Sequence, residues 1–187
     1  MKKSSYLGML FIVLILFAVS VPLTYGQEEP KVVWVARYNG PGNYYDNARA
    51  IAVGPKGNVY VTGDSYGSGT GRDYATVKYD GDGNEVWAAR YSGPGDYPDY
   101  AWAIAVDPKG NVYVTGDSYG SESGYDYAAV KYDGDGNEVW VARYNGPGNN
   151  YDYARAIAVD PFGNVYVTGA SYGSGKGSDY ATVKYSK

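Results

Sequence analysis

The residues of this chain that could do chemistry are tyrosines and carboxylates, because cysteine and histidine are absent from its 187 residues. Without cysteine there are no disulfides, no thiolate zinc sites and no thiol nucleophiles. Without histidine the commonest general base and the commonest metal ligand are missing. The 24 tyrosines and 20 acidic residues leave two kinds of chemistry, which are polar binding by tyrosine and the use of carboxylates as acids, bases or cation ligands.

Many of these tyrosines and aspartates recur in two long loops that are also rich in Gly, Ser and Asn. Tyrosine offers rigid, amphipathic contact area, and the small polar residues add adaptable hydrogen bonds, as in antibody paratopes. The composition therefore predicts a face that binds a glycan or a protein. The alternative is local, with tyrosines that pack the loops and aspartates that accept backbone N–H groups. The candidate residues are Tyr45, Asp46, Tyr66, Asp99, Tyr100, Tyr119, Asp152, Tyr153 and Tyr172.

An acidic turn, DGDGNE, occurs at residues 80–85 and again at 133–138. Oxygen ligands at alternate positions suit Ca²⁺, which makes the aspartates of these turns a weak calcium candidate. The EF-hand pattern nevertheless fails, because Glu85 replaces the glycine of position six and Tyr91 stands at position twelve. A hairpin turn closed by glycine explains the motif with fewer assumptions. We therefore predict no cofactor and no metal, with Asp80, Asp82, Asp133 and Asp135 as the weak exception.

Near-identical repeats argue against catalysis. A glycoside hydrolase needs two carboxylates in different environments, one of them with a raised pKa. Repeats give every carboxylate an equivalent neighbourhood, which suits multivalent binding better. We predict that the protein is not an enzyme. The alternatives are a polysaccharide hydrolase that uses Asp and Glu, and a non-functional fragment of a larger surface protein.

The N-terminus has the pattern of a secretory signal. Lys2 and Lys3 precede an apolar run over residues 7–21, and Pro22 and Gly26 precede polar residues. We predict a signal peptide over residues 1–26, a polar linker over 27–30 and a secreted or cell-surface domain over 31–187. The alternative is an uncleaved membrane anchor, since the run approaches the length of a span. The net charge of −4 predicts no nucleic-acid partner.

The remainder of the chain is one unit repeated with a period of 53 residues, as the spacing of Trp34, Trp87 and Trp140 shows. Each unit contains four short segments of β-branched and aromatic residues, separated by Gly, Pro, Asn and Asp. The density of Gly and Pro and the absence of a 3.6-residue period exclude helices. Four hairpin-connected strands per unit predict an all-β fold, a β-propeller of four-stranded antiparallel blades with three blades in the chain.

The run GNVYVTG at residues 57–63, with copies at 110–116 and 163–169, resembles the SBBP-type bacterial β-propeller repeat. This resemblance implies the propeller fold and an extracytoplasmic repeat of the kind found in large surface proteins. It implies almost nothing about a ligand. The chain departs from the usual pattern in having three units, whereas a closed ring takes about four to eight blades.

The strand order suggests how such a ring could close. Residues 32–38 match a fourth strand, and residues 180–185 match a third strand. We therefore expect the first segment to complete the last blade of a second copy. Two chains would then form a six-bladed, head-to-tail homodimer. The alternative is a gene fragment without a stable closed form.

Overall fold

The computed structural model describes residues 29–95, 97–120, 122–175 and 177–186. The chain divides into two units, residues 1–32 and residues 33–187. The predicted signal peptide and most of the linker lie outside the described residues. Within the described ranges no helix is both long enough and apolar enough to cross a membrane.

Eleven strands form three antiparallel sheets in the part of the chain that the structure describes. Sheet 1 contains β1 (Asp46–Val53), β2 (Val59–Tyr66), β3 (Arg72–Tyr79) and β4 (Glu85–Tyr91). Sheet 2 contains β5 (Tyr100–Val106), β6 (Val112–Gly120), β7 (Gly124–Tyr132) and β8 (Glu138–Tyr144). Sheet 3 contains β9 (Asp152–Val159), β10 (Val165–Tyr172) and β11 (Ser178–Tyr185). Within each sheet the strands pair in chain order, so the predicted all-β architecture of propeller-like repeats is confirmed.

The sheets pack face to face, with the first strand of each sheet contacting the first strand of the next. One core cluster joins sheets 1 and 2 and includes Tyr60, Tyr74, Val112 and Val130. A second cluster joins sheets 2 and 3 at equivalent positions. Because the strands alternate with period two, each sheet offers one face to the sheet before it and the other to the sheet after it.

A bulge in the first strand of each sheet fixes a glycine in the second. In sheet 2 the register shifts between Ala101 and Ala103. The carbonyl oxygen of Tyr100 consequently lies only 1.9 Å from the position that a Cβ atom of Gly116 would take. Sheets 1 and 3 repeat this close approach at Gly63 and Gly169. Only glycine fits such a position, which explains its place in the repeated GNVYVTG run.

The first segment, residues 32–38, does not form the strand that the pattern predicts. A strand requires a hydrogen-bonded neighbour, and among the described residues none pairs with this backbone. Its side chains nevertheless keep the alternation of a fourth strand. Trp34, Ala36 and Tyr38 lie against the face of sheet 1 that is turned away from sheet 2, and they line a cavity of about 540 Å³ there.

Candidate binding site

The two kinds of long loop lie together at one end of the sheets, as the sequence predicts. In sheet 1, the backbone N–H of Gly42 donates to the carbonyl oxygen of Tyr66 at 3.0 Å. The ring of Tyr44 also packs edge-on against that of Tyr66, with centroids 4.9 Å apart. In sheet 2, Tyr97 packs on Tyr119 at 4.2 Å. Each loop before a first strand is therefore held against the loop after the second strand.

The aspartates of the candidate set fasten these loops from within. Asp99 is fully buried, and its carboxylate accepts N–H bonds from Gly93 at 2.6 Å and Tyr119 at 3.1 Å. Burial raises the pKa of Asp99, and these two hydrogen bonds oppose the rise. Asp152 is held in the same way, and Asp46 accepts the N–H of Gly40. Because the loops engage these carboxylates, a ligand would meet the tyrosines and not the aspartates.

The structure gathers tyrosines into one cluster where sheets 2 and 3 meet. Tyr125 is its centre, although it is not among the candidates from the sequence. The equivalent residues of the other sheets are Arg72 and Ser178, so Tyr125 does not recur with the repeat. A comparison of the positions at which the three units differ would have identified it from the sequence. The tyrosine cluster consists of Tyr125 and its neighbours Tyr119, Tyr151, Tyr100 and Tyr153, whose ring centroids lie 5.3, 6.0, 6.2 and 6.4 Å away.

The other candidates lie outside the tyrosine cluster. Tyr45 contacts Tyr44 at 4.4 Å and belongs to the loops of sheet 1, together with Tyr66. Tyr172 lies at the end of β10 in sheet 3 and is half-buried. Of the tyrosines predicted to bind, the structure thus brings Tyr100, Tyr119 and Tyr153 together.

A stack of charged and aromatic side chains is formed by the first strands. Trp102 of β5 lies between Arg49 of β1 and Arg155 of β9, with guanidinium carbons 4.0 and 4.7 Å from its ring centroid. Cations held over an indole face are attracted by its negative quadrupole. The equivalent position is Arg in sheet 1, Trp in sheet 2 and Arg in sheet 3. This variation between the repeats allows the alternating stack, which three identical residues could not form.

Asp117 anchors this stack from β6. Its carboxylate accepts the indole N–H of Trp102 at 2.6 Å and a guanidinium N–H of Arg155 at 2.9 Å. Burial nevertheless raises its pKa to about 6, although both partners favour the charged form. The same position is Asp64 in sheet 1, paired with Arg49 and Arg72, and Ala170 in sheet 3. The candidate face therefore differs from sheet to sheet in both charge and polarity.

Burial holds the phenol groups of two members of the tyrosine cluster, Tyr125 and Tyr153, in the neutral form at physiological pH. Burial raises the pKa of Tyr125 to about 12, with a contribution from Tyr100 and the nearby acidic groups. Burial also raises the pKa of Tyr153. A neutral phenol can donate one hydrogen bond and accept others, so the cluster can meet sugar hydroxyls or peptide groups.

The acidic turns use their own carboxylates. Asp80 accepts the backbone N–H groups of Asp82 and Asn84, both at 2.9 Å, and the side-chain amide of Asn84. These hydrogen bonds, that of the Asn84 side chain first, lower the pKa of Asp80. Asp133 makes the same bonds to Asp135 and Asn137. Within the described ranges no three acidic side chains are grouped as metal ligands, and calcium binding at these turns stays a prediction.

The family model described as the SBBP beta-propeller repeat matches the chain twice, at residues 86–122 and 139–175. Each match runs from a fourth strand to the loop after the following second strand. No curated protein sequence matches the chain.

Among solved structures, a crystal structure of a protein of unknown function from Bacteroides caccae is similar, with a TM-score of 0.42 and 14% sequence identity. The similarity covers 65% of this chain and 38% of that one, so this chain spans less than half of that protein.

Proposed function

Because the chain carries SBBP β-propeller repeats, we propose that it is a non-catalytic binding or scaffold module that acts outside the cytoplasm. We take sheets 1 and 2 as complete blades and sheet 3 as a third blade, of which the described residues form three strands. The ligand proposed for this module is a glycan, bound at the tyrosine cluster.

The observation that carries this proposal is the tyrosine cluster itself. The centroids of its other four rings lie within 6.4 Å of that of Tyr125, and Tyr151 is 45% exposed. Tyrosines pack closely at low entropic cost, and their hydroxyl groups supply the directional hydrogen bonds that a polyhydroxylated ligand needs. A protein ligand, which the same chemistry would accept, is an outcome of the test.

The test compares the unmodified protein with the Tyr125→Ala variant. On an array of polysaccharides and glycans, followed by calorimetry with the best ligand, we expect saturable binding that weakens at least about tenfold in the variant. Phe162→Ala is the matched control, because Phe162 is 79% exposed but lies in the turn between β9 and β10, at the opposite end of sheet 3. Binding to no glycan, or equal binding by Tyr125→Ala, would contradict the proposal.

The same samples test the alternative hydrolase. Release of new reducing ends from a polysaccharide, lost in a variant with an aspartate changed to asparagine, would favour catalysis. Binding without product would favour the module. Asp99 and Asp152 support the second outcome, because both are fully buried and their carboxylates accept loop N–H groups, which leaves them unable to reach a substrate.

The location outside the cytoplasm rests on the signal pattern at residues 1–26. Expression in a bacterium with an export pathway should release a protein whose first residue is Gln27. N-terminal sequencing of the exported protein checks this, and exported protein that begins at Met1 would favour the uncleaved anchor.

A further inference from the structure

One contact is repeated at both junctions between sheets. Tyr74 of sheet 1 inserts against sheet 2 and directs its hydroxyl to the carbonyl oxygen of Ala128 at 3.5 Å. Tyr127 of sheet 2 inserts against sheet 3 and donates to the carbonyl oxygen of Ala181 at 3.2 Å. Both tyrosines are completely buried. We call the face that a sheet turns toward the next sheet in the chain its forward face, and the opposite face its backward face. The forward face of one sheet thus places a tyrosine on the backward face of the next.

The equivalent tyrosine of sheet 3 has no such cover. Tyr180 occupies the same place in the repeat as Tyr74 and Tyr127, yet it is 97% exposed. This exposure is significant because the two equivalent tyrosines are each buried by a neighbouring sheet. The other junctions show the surface that receives this tyrosine, namely a strand of small residues with a carbonyl oxygen that can accept the phenol hydroxyl as a further donor.

The backward face of sheet 1 offers that chemistry. The cavity of about 540 Å³ is lined on one side by Ala75, Val77 and Tyr79, which correspond to Ala128, Val130 and Tyr132 at the junction of sheets 1 and 2. In this junction Tyr74 fills the corresponding space. The cavity therefore has the shape that the repeat elsewhere fills with a tyrosine from the preceding sheet.

Trp34 already stands where the fourth strand of a preceding sheet would place it. Its ring centroid lies 6.4 Å from that of Tyr79. The corresponding distances are 6.2 Å for Trp87 and Tyr132 and 6.1 Å for Trp140 and Tyr185. Residues 33–38 thus occupy the place of the fourth strand of a sheet that would precede sheet 1. The described residues contain no first, second or third strand for that sheet.

We infer that a second copy of this chain fills the cavity with the forward face of its sheet 3. Strand β11 of that copy pairs with residues 33–38, its Tyr180 enters the cavity, and the tyrosine hydroxyl donates to the carbonyl oxygen of Ala75. Continuity with the two internal junctions identifies the occupant, because sheet 3 carries the same forward-face residues as sheets 1 and 2. This inference does not depend on the proposed glycan site.

The register of this contact follows from the repeat. Ala75 pairs with Arg90 and Ala128 with Arg143, so Ala181 of one copy pairs with Arg37 of the other. In sheets 1 and 2 that arginine binds an aspartate of the third strand, at 2.9 and 3.0 Å. Arg37 and Asp179 are the corresponding residues, and neither forms an ion pair within the described ranges. The two copies supply each other's missing partner.

Reciprocal contacts close the assembly. Each copy carries one open backward face and one uncovered forward face, so head-to-tail contacts form a ring or a filament. Two copies give six sheets, which lies within the range of about four to eight blades in closed propellers. The expected product is therefore a dimer with two identical junctions.

Sedimentation of the unmodified protein tests this directly, and we expect the mass of two chains. Tyr180→Arg should raise the dissociation constant at least about 100-fold, because it places a charge against Ala75 and Val77 in the cavity. Val139→Arg is the matched control, because Val139 is half-exposed on the outermost strand of sheet 2, and sheet 2 packs between sheets 1 and 3 and so carries neither open face. A monomer, or a dimer that Tyr180→Arg leaves intact, would overturn the inference.

Cross-linking tests the register independently. Thr76 pairs with Ala89, so Thr182 should pair with Ala36 of the other copy. The chain has no cysteine, so a protein carrying Ala36→Cys and Thr182→Cys together should oxidise to a covalent dimer. Each single variant should remain uncross-linked. A bridge within one chain, or no bridge in a folded protein, would contradict the predicted register.

Discussion

At the scale of single residues, Asp117 shows how the repeat departs from symmetry. Its carboxylate is held by Trp102 and Arg155, and burial still raises its pKa to about 6 from an ordinary value of 3.8. Desolvation therefore outweighs the two hydrogen-bond donors. The site in sheet 3 avoids this conflict by carrying Ala170, which has no charge to bury.

The raised pKa of Asp117 makes stability depend on pH. A group that binds its proton more tightly in the folded state stabilises the fold below its unfolded pKa, and that contribution is lost as the pH rises through its folded pKa. We therefore expect the free energy of unfolding to fall by about 2 kcal/mol between pH 4 and pH 7 relative to the Asp117→Asn variant. Urea denaturation across this range measures the difference.

The control for this experiment is Phe162→Ala, at an exposed side chain that does not titrate, in the turn between β9 and β10. Its pH profile should run parallel to that of the unmodified protein. If the profile of Asp117→Asn also ran parallel, burial would not be the dominant influence on Asp117.

At the scale of strands, the sequence predicts most of what the structure contains. The repeated Val-Tyr-Val-Thr runs and the Gly-rich turns identify all eleven strands, because period-two alternation and turn residues act locally. Residues 32–38 follow the same local pattern and form no strand. Their failure is not local, since a strand depends on a neighbour that the pattern cannot supply.

The bulges provide a test at this scale. Gly116→Ala would place a Cβ atom 1.9 Å from the carbonyl oxygen of Tyr100, and the strand pair must separate to accept it. We expect a loss of about 3 kcal/mol in the free energy of unfolding, measured by chemical denaturation. Gly134→Ala is the control, because the nearest atom to its added Cβ would be 3.8 Å away. Its effect should stay within about 0.5 kcal/mol.

The candidate site was less predictable than the strands. The shared loop face follows from the order of long and short connections, and the structure reproduces it. The tyrosine cluster depends on Tyr125 and the Arg–Trp–Arg stack on Trp102, and each of these residues is present in only one of the three units. Which residues meet across two sheets is set by the packing of those sheets, and a one-dimensional pattern does not contain it. The burial of Asp99 and Asp152 also depends on this packing, so the sequence pattern does not predict it.

At the scale of the whole molecule, the junctions between sheets determine stability. Tyr127 is completely buried at one junction, while its equivalent Tyr180 is almost fully exposed. The same substitution at the two positions therefore separates burial from residue type.

We expect Tyr127→Ala to lower the free energy of unfolding by about 3–5 kcal/mol, because it leaves a large cavity between sheets 2 and 3. In dilute solution, where each copy stands alone, Tyr180→Ala should change it by less than about 0.5 kcal/mol. Thermal or urea unfolding monitored by tryptophan fluorescence compares the two. Equal losses would show that the exposed position is already packed in the isolated chain.

The complementary forward and backward faces of each sheet also bear on how such genes change length. Recombination between the near-identical copies adds or removes 53 codons at a time, and every surviving junction then joins a forward face to a backward face as before. An insertion of one residue within a strand would instead turn its alternating side chains to the wrong face of the sheet. Copy number is therefore a dimension in which this protein can vary without the invention of a new interface.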